Sequence, residues 1–170
     1  MDGFERRTEE KKKKVLRAAF DLMNTDTGIE NLTIDAVAKK ANVGKTSIFK
    51  YFGSKEKLIH EVFIRSMDEM GEKAKKIMEK NASFEETLIA MSQNKIDYLE
   101  KINKQFYLDL MSYYTKKEDS GFTRMMEAYT KQSFGIMLDL FHRGRKEGKV
   151  DLKYSDEFLM LYFQAMIEGI

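Results

Sequence analysis

Gly44-Lys45-Thr46 is the triplet of this chain that most resembles catalytic machinery. It imitates the end of a phosphate-binding loop, in which glycine amides and a lysine cradle nucleotide phosphates. That loop needs another glycine five residues before Gly44, and Lys39 stands there instead. The triplet also follows a helical pattern, where such a loop follows a strand. Nucleotide chemistry is therefore not expected. The two histidines, His60 and His142, fall in separate helical stretches, and with no cysteine the chain lacks the paired ligand spacing of a metal site. Acidic residues are plentiful but scattered at solvent-facing phases, so no acid/base pair emerges. The sequence predicts a protein that is not an enzyme, with no cofactor and no metal.

What the triplet can do depends on the elements around it. Ile34, Val37, Ala38 and Ala41 recur at helical spacing and give a short helix one apolar stripe. Thr33 precedes that stripe, where its hydroxyl can accept from an orphan backbone N–H. Asn42-Val43-Gly44 breaks the period: Asn and Gly tolerate turn geometry, and Val43 can fill the angle between two helices. A second short helix, Lys45–Lys50, turns Ile48, and with it Phe49, inward, leaving Lys45, Thr46, Ser47 and Lys50 outward. Tyr51-Phe52-Gly53 closes it, and Ser54 caps the next, longer helix. Two short helices joined by a tight turn, the second offering cations and hydroxyls, suit a polyanion with readable edges, which is duplex DNA.

Residues Thr33, Val37, Ala38, Ala41, Val43, Ser47, Ile48, Tyr51, Phe52, Ser54, Lys55 and Leu58 resemble the helix–turn–helix signature of the tetracycline-repressor-like (TetR) family of bacterial transcription regulators. Asn42 and Thr46 stand where that family usually has Gly, Gly44 where it has a capping Ser, and Phe49 where it has Tyr. Gly44 should weaken the cap by a few tenths of a kcal/mol, and Phe49 lacks a hydroxyl that often reaches a phosphate in the family. The packing positions are untouched. The resemblance implies a DNA-binding head on a body that binds a small effector and dimerises through its last helices.

The head needs a supporting body, and the rest of the chain is built for one. Zero proline, zero cysteine and abundant Lys, Glu and Met favour an all-α protein in a reducing compartment. No stretch of about 20 apolar residues and no apolar leader appears, so a bacterial cytoplasmic location is expected. Residues 1–60 hold 13 Lys/Arg against 9 Asp/Glu, and residues 61–170 hold 17 against 19. A basic first third on a near-neutral remainder agrees with a DNA-contacting head.

The pattern predicts a first helix over residues 1–24, with Val15, Leu16, Ala19, Phe20 and Met23 covering the helix–turn–helix from behind. Lys11 to Lys14 lie before that face, either solvated or along a DNA backbone. A long helix from Ser54 to about Lys80 links head and body, with Gly71 as a weak point. Further helices follow from Phe84, Phe106 and Phe122, the third stopping at Gly148. Lys116 to Gly121 reads as a polar connection. Ser155 then caps a last helix that is apolar nearly all round from Phe158 to Ile167, Gln164 excepted. Such a helix must bury two faces. The family's second dimerisation helix has no counterpart before Ile170, so a truncated chain or an unusually small dimer face is expected.

The fold expected is an N-terminal three-helix DNA-binding domain (1–53) joined to a C-terminal helical bundle (54–170). The function expected is repression at a palindromic operator, relieved by a small, largely apolar effector, in a homodimer formed through the last helix or helices. Thr46, Ser47 and Lys50 are assigned to base edges, and Thr33, Lys45, Tyr51 and Lys55 to phosphates. The resemblance implies an effector pocket, for which Tyr113, Tyr129 and Asp109 are candidate polar anchors and Met111 and Met126 candidate apolar lining. The alternative is a helical scaffold that keeps the head without effector control.

Overall fold

The computed structural model describes residues 3–116 and 120–168, and all regular structure among them is helical. Among the described residues, eight α-helices run α1 Gly3–Met23, α2 Ile34–Ala41, α3 Lys45–Phe52, α4 Lys55–Glu79, α5 Phe84–Lys101, α6 Lys104–Lys116, α7 Ser120–Lys146 and α8 Asp156–Glu168, with a 3-10 turn at Gly28–Asn31. Of the expected Lys116–Gly121 connection, residues 117–119 lie outside the described residues; α7 is already helical at Ser120. Gly71 does not interrupt α4.

Helix ends follow from local chemistry. Asn42 closes α2 in the left-handed conformation (φ 53°), with the Val43 N–H donating to the Ala38 carbonyl and the Asn42 N–H to that of Lys39. This is a Schellman ending in which Asn replaces the commoner Gly. Ser83 and Glu86 form a capping box at the start of α5: the Glu86 N–H donates to Ser83 Oγ, and the Ser83 N–H to Glu86 Oε2 (3.1 Å). Gly148 ends α7 as expected, at φ 71°.

The chain packs as two compact units, Met1–Asp68 with Leu99–Glu118, and Glu69–Tyr98 with Asp119–Ile170. In the first, Val15, Ala19 and Met23 of α1, Val37 and Ala41 of α2, Ile48 of α3 and Leu58, Ile59 and Val62 of α4 are buried, with α1 packed against α2 and α3. Phe106 of α6 packs edge-on against Phe20 and Phe63, with centroids 5.3 and 5.2 Å away. A polar seam fastens α6 to the loop after α1. The Ile29 N–H donates to Asp109 Oδ2 (2.9 Å), the Asn103 N–H to Asn24 Oδ1 (2.6 Å), and Asn24 Nδ2 to the Lys101 carbonyl (3.1 Å). Gly28 sits at φ 56° against this seam, and a Cβ there would lie 2.0 Å from the Asp109 carboxylate. Only glycine fits.

The second unit is centred on Phe84, Met137 and Leu140, with Met78, Phe141, Val150, Met160 and Phe163 packed against them. Arg143 of α7 donates to the Ala82 carbonyl (2.9 Å) and to Thr87 Oγ1 (3.1 Å), and the Phe84 N–H donates to Glu147 (2.8 Å). Arg143 thus ties α7 to the α4–α5 turn, and Glu147 satisfies the N–H that opens α5. Asp156, the first residue of α8, accepts from Arg145 and bonds His142 Nε2 at 2.9 Å.

Candidate nucleic-acid interface

The turn between α2 and α3 is assembled from parts the sequence announces. The Ala36 N–H donates to Thr33 Oγ1 (3.1 Å), which caps α2. Val43 is buried in the angle, and Ser47 and Ile48 donate their N–H groups to the Gly44 carbonyl. Gly44 caps α3 through its backbone alone, with no side-chain bond. Gly53, at φ 81°, reverses the chain, and Ser54 Oγ accepts from the Lys57 N–H (3.1 Å) to start α4.

The faces of α3 then follow from 3.6-residue geometry. Ile48 points into the core, with Tyr51 and Phe52 half-buried beside it. Lys45, Thr46 and Lys50 are exposed and Ser47 is half-buried, so the residues assigned to base edges are not consumed by the fold. Thr33 and Lys55 are also exposed at the two shoulders of the motif.

Phe49 corrects the sequence reading. Expected inward beside Ile48, it is 48% exposed. One residue along a helix rotates the side chain by about 100°, which carries Phe49 past the core and into the solvent arc between Lys45 and Thr46. The spacing to those two residues, four and three positions back, was the signal that would have found it. A second feature was not foreseen: Lys45 pairs with Asp35 of α2, across the turn. Its ammonium is therefore already partnered by a carboxylate within the motif. Lys40 of α2 pairs with Asp21 of α1 (3.3 Å), pinning the motif to its supporting helix. Within the Lys11–Lys14 run, Lys12 pairs with Glu9 (2.9 Å).

The residues expected around an effector fall in both units. Asp109, Met111 and Tyr113 are on α6 in the first; Met126 and Tyr129 are on α7 in the second. Asp109 is not available as an anchor. It is buried, and its two oxygens accept from Ile29 N–H and from Gln105 Nε2 (2.9 Å), so it is a fastener of α6 to the loop ahead of α2. Tyr113 donates its hydroxyl to Glu56 (2.8 Å) and packs edge-on against His60 and Phe63. Met126 is buried and Tyr129 half-buried. No group of acidic or imidazole side chains among the described residues could hold a metal ion.

A short exposed helix of cations and hydroxyls, braced by two others across a left-handed turn, defines a helix–turn–helix protein. Residues 15–62 match the family model for bacterial regulatory proteins of the tetR family. The match covers the helix–turn–helix and the helices that flank it, so this part of the chain is similar to the DNA-binding segment of that family. Over 79 residues it is 40% identical to the uncharacterized HTH-type transcriptional regulator YhgD of Bacillus subtilis (strain 168), an overlap of 46% of this chain and 41% of that one. The fold is shared with FadR from Bacillus subtilis, a transcriptional regulator solved in complex with stearoyl-CoA. There the TM-score is 0.69 at 16% identity, covering 92% of this chain and 81% of the other. The TetR family regulator PfmR from Thermus thermophilus aligns with a TM-score of 0.70 at 18% identity, covering 91% and 82%.

Proposed function

We propose that the protein is a ligand-responsive transcription regulator of the bacterial cytoplasm, acting as a repressor on a palindromic DNA operator. The observation that carries this is the solvent face of α3. Lys45, Thr46 and Lys50 are held outward on a helix whose other side is locked into a core, while their neighbours cap and close the motif. Two copies would set their α3 helices in successive major grooves about 34–36 Å apart. Thr46, Ser47 and Lys50 meet base edges; Thr33, Lys45, Tyr51 and Lys55 meet phosphates and fix register. Residues 1–53 would serve as the DNA-binding domain and 54–170 as the effector and dimerisation domain.

Dimerisation is proposed through α8, which leaves Phe158, Leu161 and Tyr162 exposed. A small, largely apolar effector is supported by the Met- and aromatic-rich helices and by the stearoyl-CoA complex of the B. subtilis relative. On α7 its contacts would be Met126 and Tyr129; Met111 and Tyr113 of α6 are to be tested separately. An effector acts only by binding the DNA-competent and incompetent states unequally.

A gel-shift series on duplexes selected from a random pool tests the assignment. Lys55→Ala should weaken binding to every duplex and lower the salt slope by about one contact. Lys50→Ala should instead change which duplex is preferred. Equal losses on all duplexes for both variants would refute the division of roles.

A further inference from the structure

Phe49 is left over once every other residue of α3 has a role. It is a large apolar side chain, 48% exposed, in the middle of a surface otherwise made of Lys45, Thr46 and Lys50. Its position is set firmly: Ile48, one step earlier, is buried at 1% exposure, and the Gly53 N–H donates to the Phe49 carbonyl (2.8 Å) at the close of the helix. The ring cannot turn inward without withdrawing Ile48.

A phenyl ring cannot donate or accept the hydrogen bonds that the major groove offers through N7, O6, N6, N4 and O4. Setting it against those groups would leave them unpaired, and a phosphate gives it nothing. The groove edge carries one apolar group, the C5-methyl of thymine. Resting on the DNA-binding reading above, we propose that Phe49 is a specificity-determining residue that reads thymine through its methyl group. Phe49 follows Lys45 and Thr46 by one helical turn and adjoins Lys50. A turn advances about 5.4 Å, against a base-pair rise of about 3.4 Å. The thymine therefore lies within one or two base pairs of the bases met by Thr46 and Lys50.

The experiment removes the methyl and nothing else. Duplexes are selected from a random pool by the full chain, and each thymine in turn is replaced by deoxyuridine, with binding followed by fluorescence anisotropy. At one or two positions per half-site the wild-type chain should lose about fourfold in affinity, the equivalent of one buried methyl-sized group. Phe49→Ala should bind thymine and deoxyuridine duplexes alike at those positions, and Phe49→Leu should retain part of the discrimination. Placing 5-methylcytosine there should be better tolerated by the wild type than cytosine. Phe49 is exposed, so its replacement should leave the thermal midpoint unchanged, which calorimetry verifies. Indifference of the wild type to every deoxyuridine, or equal sensitivity in Phe49→Ala, overturns the proposal while leaving DNA binding intact. A wild-type chain that selects no duplex overturns the DNA reading itself, and this inference with it.

Discussion

α3 and α8 are both short helices with one side in a core, yet they face water with opposite chemistry. α3 shows two lysines and a threonine around a single phenyl ring. α8 shows Phe158, Leu161 and Tyr162, and the rings of Tyr154, Phe158 and Tyr162 stack in a ladder with centroids 5.1 and 6.4 Å apart. Both are anchored by similar means: Ile48 into the first unit, Met160 and Phe163 into the second. The inward side of a helix therefore says how it is held, and only the outward side says what it meets. Cations and hydroxyls suit a hydrated polyanion, whereas an aromatic ladder suits another apolar surface.

The largest effect that would break this contrast is on association. Phe158→Glu with Leu161→Glu should raise the dimer dissociation constant about a hundredfold or more, as expected when apolar anchors at an interface acquire charge. Sedimentation equilibrium reads this directly, and a molecular mass that stays monomeric in the wild type would remove α8 from the interface. Both residues are exposed within one chain, so its helicity should be unaffected.

A smaller effect sharpens the contrast in how the units are held. The first unit relies on the Asp109 seam. Asp109→Ala should cost about 1–3 kcal/mol, because the Ile29 N–H loses its acceptor inside the fold. Urea denaturation measures this, and a midpoint matching wild type would show that the seam is dispensable.

The smallest effect concerns acid. His142, and after it Arg145, hold the Asp156 carboxyl below its ordinary range by hydrogen bonding. A depressed native value favours the folded form above the ordinary Asp pKa of about 3.9. That contribution is lost as pH falls from there through the native value. Amide exchange in α8 should thus be insensitive to pH near neutrality, beyond the intrinsic chemistry of exchange, and lose protection only below about pH 4. Asp156→Asn should abolish the acid step. The pair is surface-exposed, and the change should be slight.

Much of the head was legible because its determinants are local. Thr33, Asn42, Gly53 and Ser54 act on backbone groups within a few residues, and each ends or starts a helix where its chemistry requires. Asp109 shows where that reading stops. The family resemblance made Asp109 of α6 a candidate anchor for a small molecule. Its partner is instead an amide 80 positions away, which no periodicity encodes. Phe49 erred the other way. Apolar type argued for burial, but helix phase, set by the already buried Ile48, decided against it.

The order of helices, their caps and the lysines and hydroxyls offered by α3 were determined by sequence alone, since hydrogen-bonding and the 3.6-residue period operate over neighbours. Tertiary structure decided that Lys45 leans on Asp35 and that Gly28 must yield space to a carboxylate. Those outcomes depend on which surfaces meet across distant parts of the chain, and packing alone selects them.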